Sequence, residues 1–186
     1  MGFTAIAVTF GFVFGLLTGG HLRHLGERQF RLWGLLVAGV VLQLPILDGL
    51  GFGGLLASYL FLLLFAIANI RLVGMTLVVI GIAMNIAVIA VNRGMPVRRE
   101  AVVEAGMFTR EEVDHLDLDR KHHLERPDDR VMILADVIPM PVPHLRSVLS
   151  FGDVVMSVGV ADVLVHLLKP RRRRLPALAA TSSDGG

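Results

Sequence analysis

GLGFGGLLASYLFLLLFAIANI (Gly49–Ile70) and LVGMTLVVIGIAMNIAVIAV (Leu72–Val91) contain no Asp, Glu, Lys or Arg, and only Arg71 separates them. A hydrocarbon layer about 30 Å thick is crossed by about 20 helical residues at about 1.5 Å each, so each stretch is long enough to span it. Gly2–Gly20 is a third such segment. Leu32–Leu47 is a shorter fourth, with Gln43 near its middle, Pro45 near its end and Asp48-Gly49 as a turn behind it. Ser147–Leu168 is the fifth candidate. It carries Asp153, Asp162 and His166, and a central Asp costs about 2.5–3.5 kcal/mol to insert, which its Val and Leu residues partly offset.

The composition agrees. Of 186 residues 54% are hydrophobic and 18% charged, and the mean hydropathy is +0.67, whereas soluble domains are about 25% charged. Only Arg23, Glu27, Arg28, Arg31, Asp48 and Arg71 are charged in the first 92 positions, while 20 charges fall between Arg93 and Arg146. The predicted fold is an all-α integral membrane bundle of about five transmembrane helices with a charged loop bearing short helices. Its parts are 1–92, a four-helix half; 93–146, an extramembrane segment with an interfacial or re-entrant stretch at 131–143; 147–169, the fifth span; and 170–186, a basic, disordered tail.

Lys and Arg near short loops set orientation. Arg23, Arg28 and Arg31 crowd the first connection, Arg71 marks the third, and Lys169 with Arg171 to Arg174 follows the fifth span. The N-terminus is therefore expected outside and the C-terminus in the cytoplasm, with 93–146 extracytoplasmic. Arg93, Arg98 and Arg99 oppose this, diluted in a long segment with 11 acidic and 9 basic residues. Met1-Gly2-Phe3 lacks the positive region of a secretory signal, so the first segment is expected to remain.

In the charged segment, Arg98–Ala105 suggests a helix closed by Gly106, and Thr109 with Glu112 forms a capping-box pair opening another. Val131–Ile138 is too short to span, and Pro139, Pro141 and Pro143 suggest an extended polyproline strap. Net charge is +2, without a basic stripe interleaved with aromatics, so nucleic acid is not an expected partner. No cysteine is present, which removes thiolate chemistry and disulfides. Asp114, His115, Asp117, Asp119, His122, His123, Glu125, Asp128 and Asp129 form a cluster of potential ligands. Interleaved bases and the lack of a His-x-x-x-His pair make it a solvated surface, with no metal or cofactor expected.

Gly11, Gly15 and Gly19 recur every four residues, a small-residue face for helix packing within the chain or in a homo-oligomer. Gly74, Gly81, Asn85 and Asn92 share one stripe within about 40° on the fourth helix, which must face protein; an interhelical amide bond is the simplest role for Asn85. Asp153 follows Ser150 and Gly152 in the first turns of the fifth helix, where a carboxylate can cap free amides. Asp162 faces His166 four residues on, whereas Asp153 and Asp162 lie on opposite faces.

Asn85, Asn92-Arg93-Gly94-Met95-Pro96-Val97, Lys121-His122, Asp136-Val137-Ile138-Pro139 and Ser150-Phe151-Gly152-Asp153 resemble the pattern of an uncharacterised family of small bacterial multi-pass membrane proteins. The resemblance covers most of the chain and implies a helical membrane fold in the bacterial plasma membrane; it supplies no activity. Asn85, Asn92, Met95, Pro96, Asp136, Pro139, Ser150 and Asp153 are the candidate binding residues. Most of them map to the extracytoplasmic ends of the fourth and fifth helices, where a polar pocket is expected. The leading expectation is a non-enzymatic module binding membrane lipid or a partner protein there. The alternatives are a membrane enzyme acting on a lipid-linked substrate, with Asp153 as acid or base and His122 or His123 assisting, and a small transporter.

Overall fold

The structure, a computed structural model, describes residues 2–27, 30–113, 115, 116, 118 and 121–170. Arg171 to Arg174 with the rest of the tail, and Asp114, Asp117 and Asp119, lie outside the described residues.

Five apolar helices form: α1 (Gly2–Leu17), α2 (Trp33–Leu42), α3 (Gly51–Ala68), α4 (Met75–Asn92) and, after the charged segment, α7 (Phe151–Leu167). Their neighbours run α1, α7, α4, α3, α2, so the last helix inserts between the first and the fourth. Among the described residues, α3 and α4 are long and apolar enough to cross a membrane. The second of these five helices is the shortest: it stops at Leu42, and a 3-10 turn, Pro45–Leu50, replaces the rest of its expected length, since proline has no amide hydrogen to continue the helical ladder.

Helix ends are set by identifiable residues. Asn69 at the end of α3 is buried; its Nδ2 donates to the Phe65 and Arg31 carbonyls and its Oδ1 accepts from the Arg31 amide, so α3 is tied to the chain entering α2. Ser58 Oγ donates to Gly39 O at 2.8 Å and accepts from Gln43 Nε2, joining α2 to α3. His24 Nδ1 and the His21 amide both donate to Leu168 O, fastening the turn after α1 to the end of α7. The core between these helices comprises Phe65, Met75, Val78, Ile82, Val163 and Leu167.

The charged segment departs from the all-helical expectation. Among the described residues it contains two two-stranded sheets: β1 (Met95–Val97) parallel to β2 (His122–Leu124), and β3 (Ile138–Met140) antiparallel to β4 (Ser147–Leu149). Residues Ser147–Leu149, expected in the fifth helix, are β4, and α7 starts only at Phe151. Pro139 belongs to β3 opposite Val148, so the proline run opens as a paired strand and not as a free strap; proline's fixed φ suits an edge strand. Val131–Ile138 is a 3-10 turn (Met132–Leu134) followed by buried Ala135, and Asp136 bridges to Val97. The short helices form as expected: α5 (Arg99–Glu104), followed by Gly106 at φ +67°, and α6 (Arg110–Val113), opened by the Thr109–Glu112 capping pair. That pair holds the Glu112 carboxyl below its usual range. Val97, Val102 and Val113 give this cap a core of its own.

Candidate functional site

The α4–α7 seam is built from the smallest residues. A Cβ on Gly81 would stand 2.5 Å from Gly152 O, one on Gly159 2.7 Å from the Val78 amide nitrogen, and one on Gly11 2.7 Å from Ala161 Cα on the opposite face of α7. Gly15 abuts Val165 and Leu168. Gly19, grouped with these in the sequence, lies past the end of α1 at φ +87° with open space around it, so it ends the helix.

That closeness lets Asn85 reach the start of α7. Its Oδ1 accepts from Ser150 Oγ (3.0 Å), and its Nδ2 donates to Asp153 Oδ1 (2.8 Å) and to the Tyr59 hydroxyl (3.3 Å). Ser150 and Asp153 complete a capping box: the Asp153 amide donates to Ser150 Oγ, and the Ser150 amide to Asp153 Oδ2. Three of the eight candidate binding residues thus form one knot joining α3, α4 and α7. Each polar atom of Asn85 and both oxygens of Asp153 are engaged, the satisfied arrangement a buried polar network requires.

The other candidates separate. Asn92 Nδ2 donates to Val88 O and Arg130 O while its Oδ1 accepts from the Arg130 amide, pinning the approach to the 3-10 turn. Met95 and Pro96 are buried in β1. Arg146, which could have turned back toward Asp153, donates to Gly106 O. Asp162 and His166 do pair, with 3.0 Å between Oδ1 and Nδ1.

Asp136 is different. Its amide donates to Pro96 O and its carbonyl accepts from the Arg98 amide, yet the side-chain Oδ1 is shielded without a partner. Burial, then repulsion from Asp153, raises its carboxyl to about 8, against a smaller opposing effect of His122.

Where α4 leaves the bundle is a cleft of about 800 Å³ lined by Arg93, Arg99, Lys121, His123, Glu125 and Arg126 among others. Gly94 permits its floor: a Cβ there would sit 3.1 Å from His123 Nδ1 and 3.2 Å from Lys121 O. His123 Nε2 donates to Asp129 Oδ1 (3.0 Å), which also receives the Arg126 amide at Oδ2 (2.7 Å). Glu125 accepts from the Arg99 amide and lies 4.0 Å from Arg98 Nε. Lys121, 4% exposed, donates to Leu42 O. The sequence reading treated this stretch as a solvated surface; it named His123 and Asp129 without pairing them and missed the burial of Lys121, which only the Lys121-His122 adjacency in the family pattern marked. Among the described residues, no three His, Asp or Glu side chains converge to hold a metal ion.

No curated protein and no solved structure matches the chain. Residues 31–165 match DUF5317, described as a family of unknown function. That stretch runs from the start of the α2–α3 pair through the cap and nearly to the end of α7, so the chain belongs to the DUF5317 family.

Proposed function

We propose that this chain is a five-span plasma-membrane protein, N-terminus outside and C-terminus cytoplasmic, whose extracytoplasmic cap binds the anionic headgroup of a membrane lipid in the cleft at the end of α4, without catalysing a reaction. The helices support the membrane part. Only 28% of α3 and 39% of α4 is buried, and Phe10, Leu17, Trp33 and Ile46 are 62–87% exposed. Water-facing apolar surface on that scale is costly at about 25 cal/mol per Å², and lipid removes the cost.

The observation carrying the binding reading is the charge balance of the cleft. Arg93, Arg99, Lys121 and Arg126 line it against the carboxylates Glu125, Asp128 and Asp129, of which Glu125 and Asp129 already accept from backbone amides and Asp129 also from His123. Guanidinium groups match phosphate oxygens bidentately, and basic residues near a membrane surface attract anionic headgroups by about 1 kcal/mol each. Arg93 is also held at φ +56°, where glycine is the favoured residue. An arginine kept at that cost is consistent with a role for its side chain.

The test is native mass spectrometry of the full chain extracted from nanodiscs containing phosphatidylcholine and phosphatidylglycerol. The wild type should retain phosphatidylglycerol selectively, and Arg93→Gln with Arg126→Gln should lose it while remaining folded. Equal retention by both proteins overturns the reading. The His123–Asp129 pair favours a second reading, a hydrolytic enzyme acting on a lipid-linked phosphate, with His123 as base oriented by Asp129. Lipid turnover abolished by His123→Gln would decide for it.

A further inference from the structure

A smaller pocket, about 220 Å³, lies within the cap, walled by Val97 of β1, Val102 of α5, Met107, Phe108 and Val148 of β4. Three lining side chains break this apolar surface, His122, Asp136 and Ser147. Asp136 Oδ1 and Ser147 Oγ are shielded from solvent, and neither has a hydrogen-bond partner. Asp136 is 8% exposed, and its main chain is fixed on both sides by the bonds to Pro96 and Arg98. Buried polar atoms are nearly always satisfied, and an orphan costs about 1–3 kcal/mol. Two orphans on the wall of one pocket indicate that an occupant supplies the missing bonds.

The size and lining define that occupant. The space exceeds what one water needs, about 10–15 Å³ on the same measure, and falls below the roughly 300–1,000 Å³ of drug-sized sites. An apolar wall favours an aliphatic body and penalises a charged group, which would lose its hydration. An unpartnered carboxyl oxygen and an unpartnered hydroxyl lining one pocket call for a group that donates and accepts at once, which a hydroxyl does. We infer that this pocket binds the uncharged hydroxyl end of a small aliphatic alcohol, held by Asp136 and Ser147, at a site that adjoins the headgroup cleft along Leu116, Leu118 and His122.

Met107 lines the pocket, whereas Met75 is buried in the helix core, so their methyl groups provide a reporter and a control. The full chain, carrying ¹³C-methyl methionine in phosphatidylcholine nanodiscs, is titrated with 1-pentanol. The Met107 resonance should shift saturably and that of Met75 should not. Ser147→Ala removes one bond and one orphan atom, so it should weaken pentanol about 3- to 10-fold without lowering the unfolding temperature, and should leave phosphatidylglycerol retention unchanged. Non-saturating shifts shared by both methionines, or equal pentanol affinity in Ser147→Ala, overturn the proposal. Tighter binding of pentylammonium than of pentanol overturns the hydroxyl assignment.

Discussion

Adding one methyl group at Gly152 should disrupt the joint between α4 and α7. The new Cβ would stand 1.9 Å from Asn85 Oδ1 and 2.8 Å from Gly81 O, both far inside contact distance. Gly81 O is backbone and cannot give way, so Asn85 must swing out or the helices must separate. Displacing Asn85 breaks its bonds to Ser150, Asp153 and Tyr59, worth about 0.6–1.7 kcal/mol each between membrane helices. Overpacking adds about 1–3 kcal/mol, and the better helix propensity of alanine returns about 1 kcal/mol. Gly152→Ala should therefore destabilise by about 2–7 kcal/mol, read by reversible unfolding in mixed micelles. The clash also predicts coupling. With Asn85→Ala in the background, the Cβ meets no side-chain oxygen, so Gly152→Ala should cost at least about 1 kcal/mol less than it does alone. A Gly152→Ala cost under about 0.5 kcal/mol, or strict additivity with Asn85→Ala, would refute the account of the seam.

Ser150→Ala removes the N-cap of α7 and a donor to Asn85, and should cost about 1–2 kcal/mol in the same unfolding assay. Arg93→Gly relieves a left-handed arginine and should stabilise by about 1 kcal/mol while reducing phosphatidylglycerol retention in native mass spectra. Because the Asp136 carboxyl is raised to about 8 from an ordinary 3.8, the folded state holds a proton that the unfolded state has released between those values. Stability should therefore fall as pH rises from about 4 to about 8 and level off above. Asp136→Asn should flatten that dependence in unfolding curves recorded from pH 4.5 to 8.5, and an unchanged slope would contradict the protonated carboxyl.

The apolar helices were legible because their signal is local: charge-free runs of about 20 residues need no knowledge of partners. The Gly74–Gly81–Asn85 stripe likewise identified the face of α4 that meets protein, and Ser150-x-x-Asp153 announced its own cap. The partners were not legible. Nothing in Gly152 or Gly159 alone says that α7 inserts between α1 and α4, since that is decided by which small surfaces fit together across the chain. The cap was misread for a similar reason: strands of three residues carry no periodicity, and β1 finds β2 more than 20 positions away. Asn92 looked like a ligand-binding amide, yet its partner is the Arg130 backbone 38 residues on. The site signals that sequence did carry, Asp136 above all, named the residue without showing that its carboxyl oxygen would be left without a partner.

The lipid-binding account requires the cap and its cleft to face the extracytoplasmic side of a membrane crossed by all five helices. The chain has no cysteine, so single cysteines at Thr109 in the cap and at Ser182 in the tail can be labelled on intact spheroplasts with a membrane-impermeant maleimide. The account predicts labelling at Thr109 and protection at Ser182 until the membrane is permeabilised. Labelling at Ser182 with protection at Thr109 would invert the topology, and labelling of both positions before permeabilisation would contradict an odd number of spans between the cap and the tail.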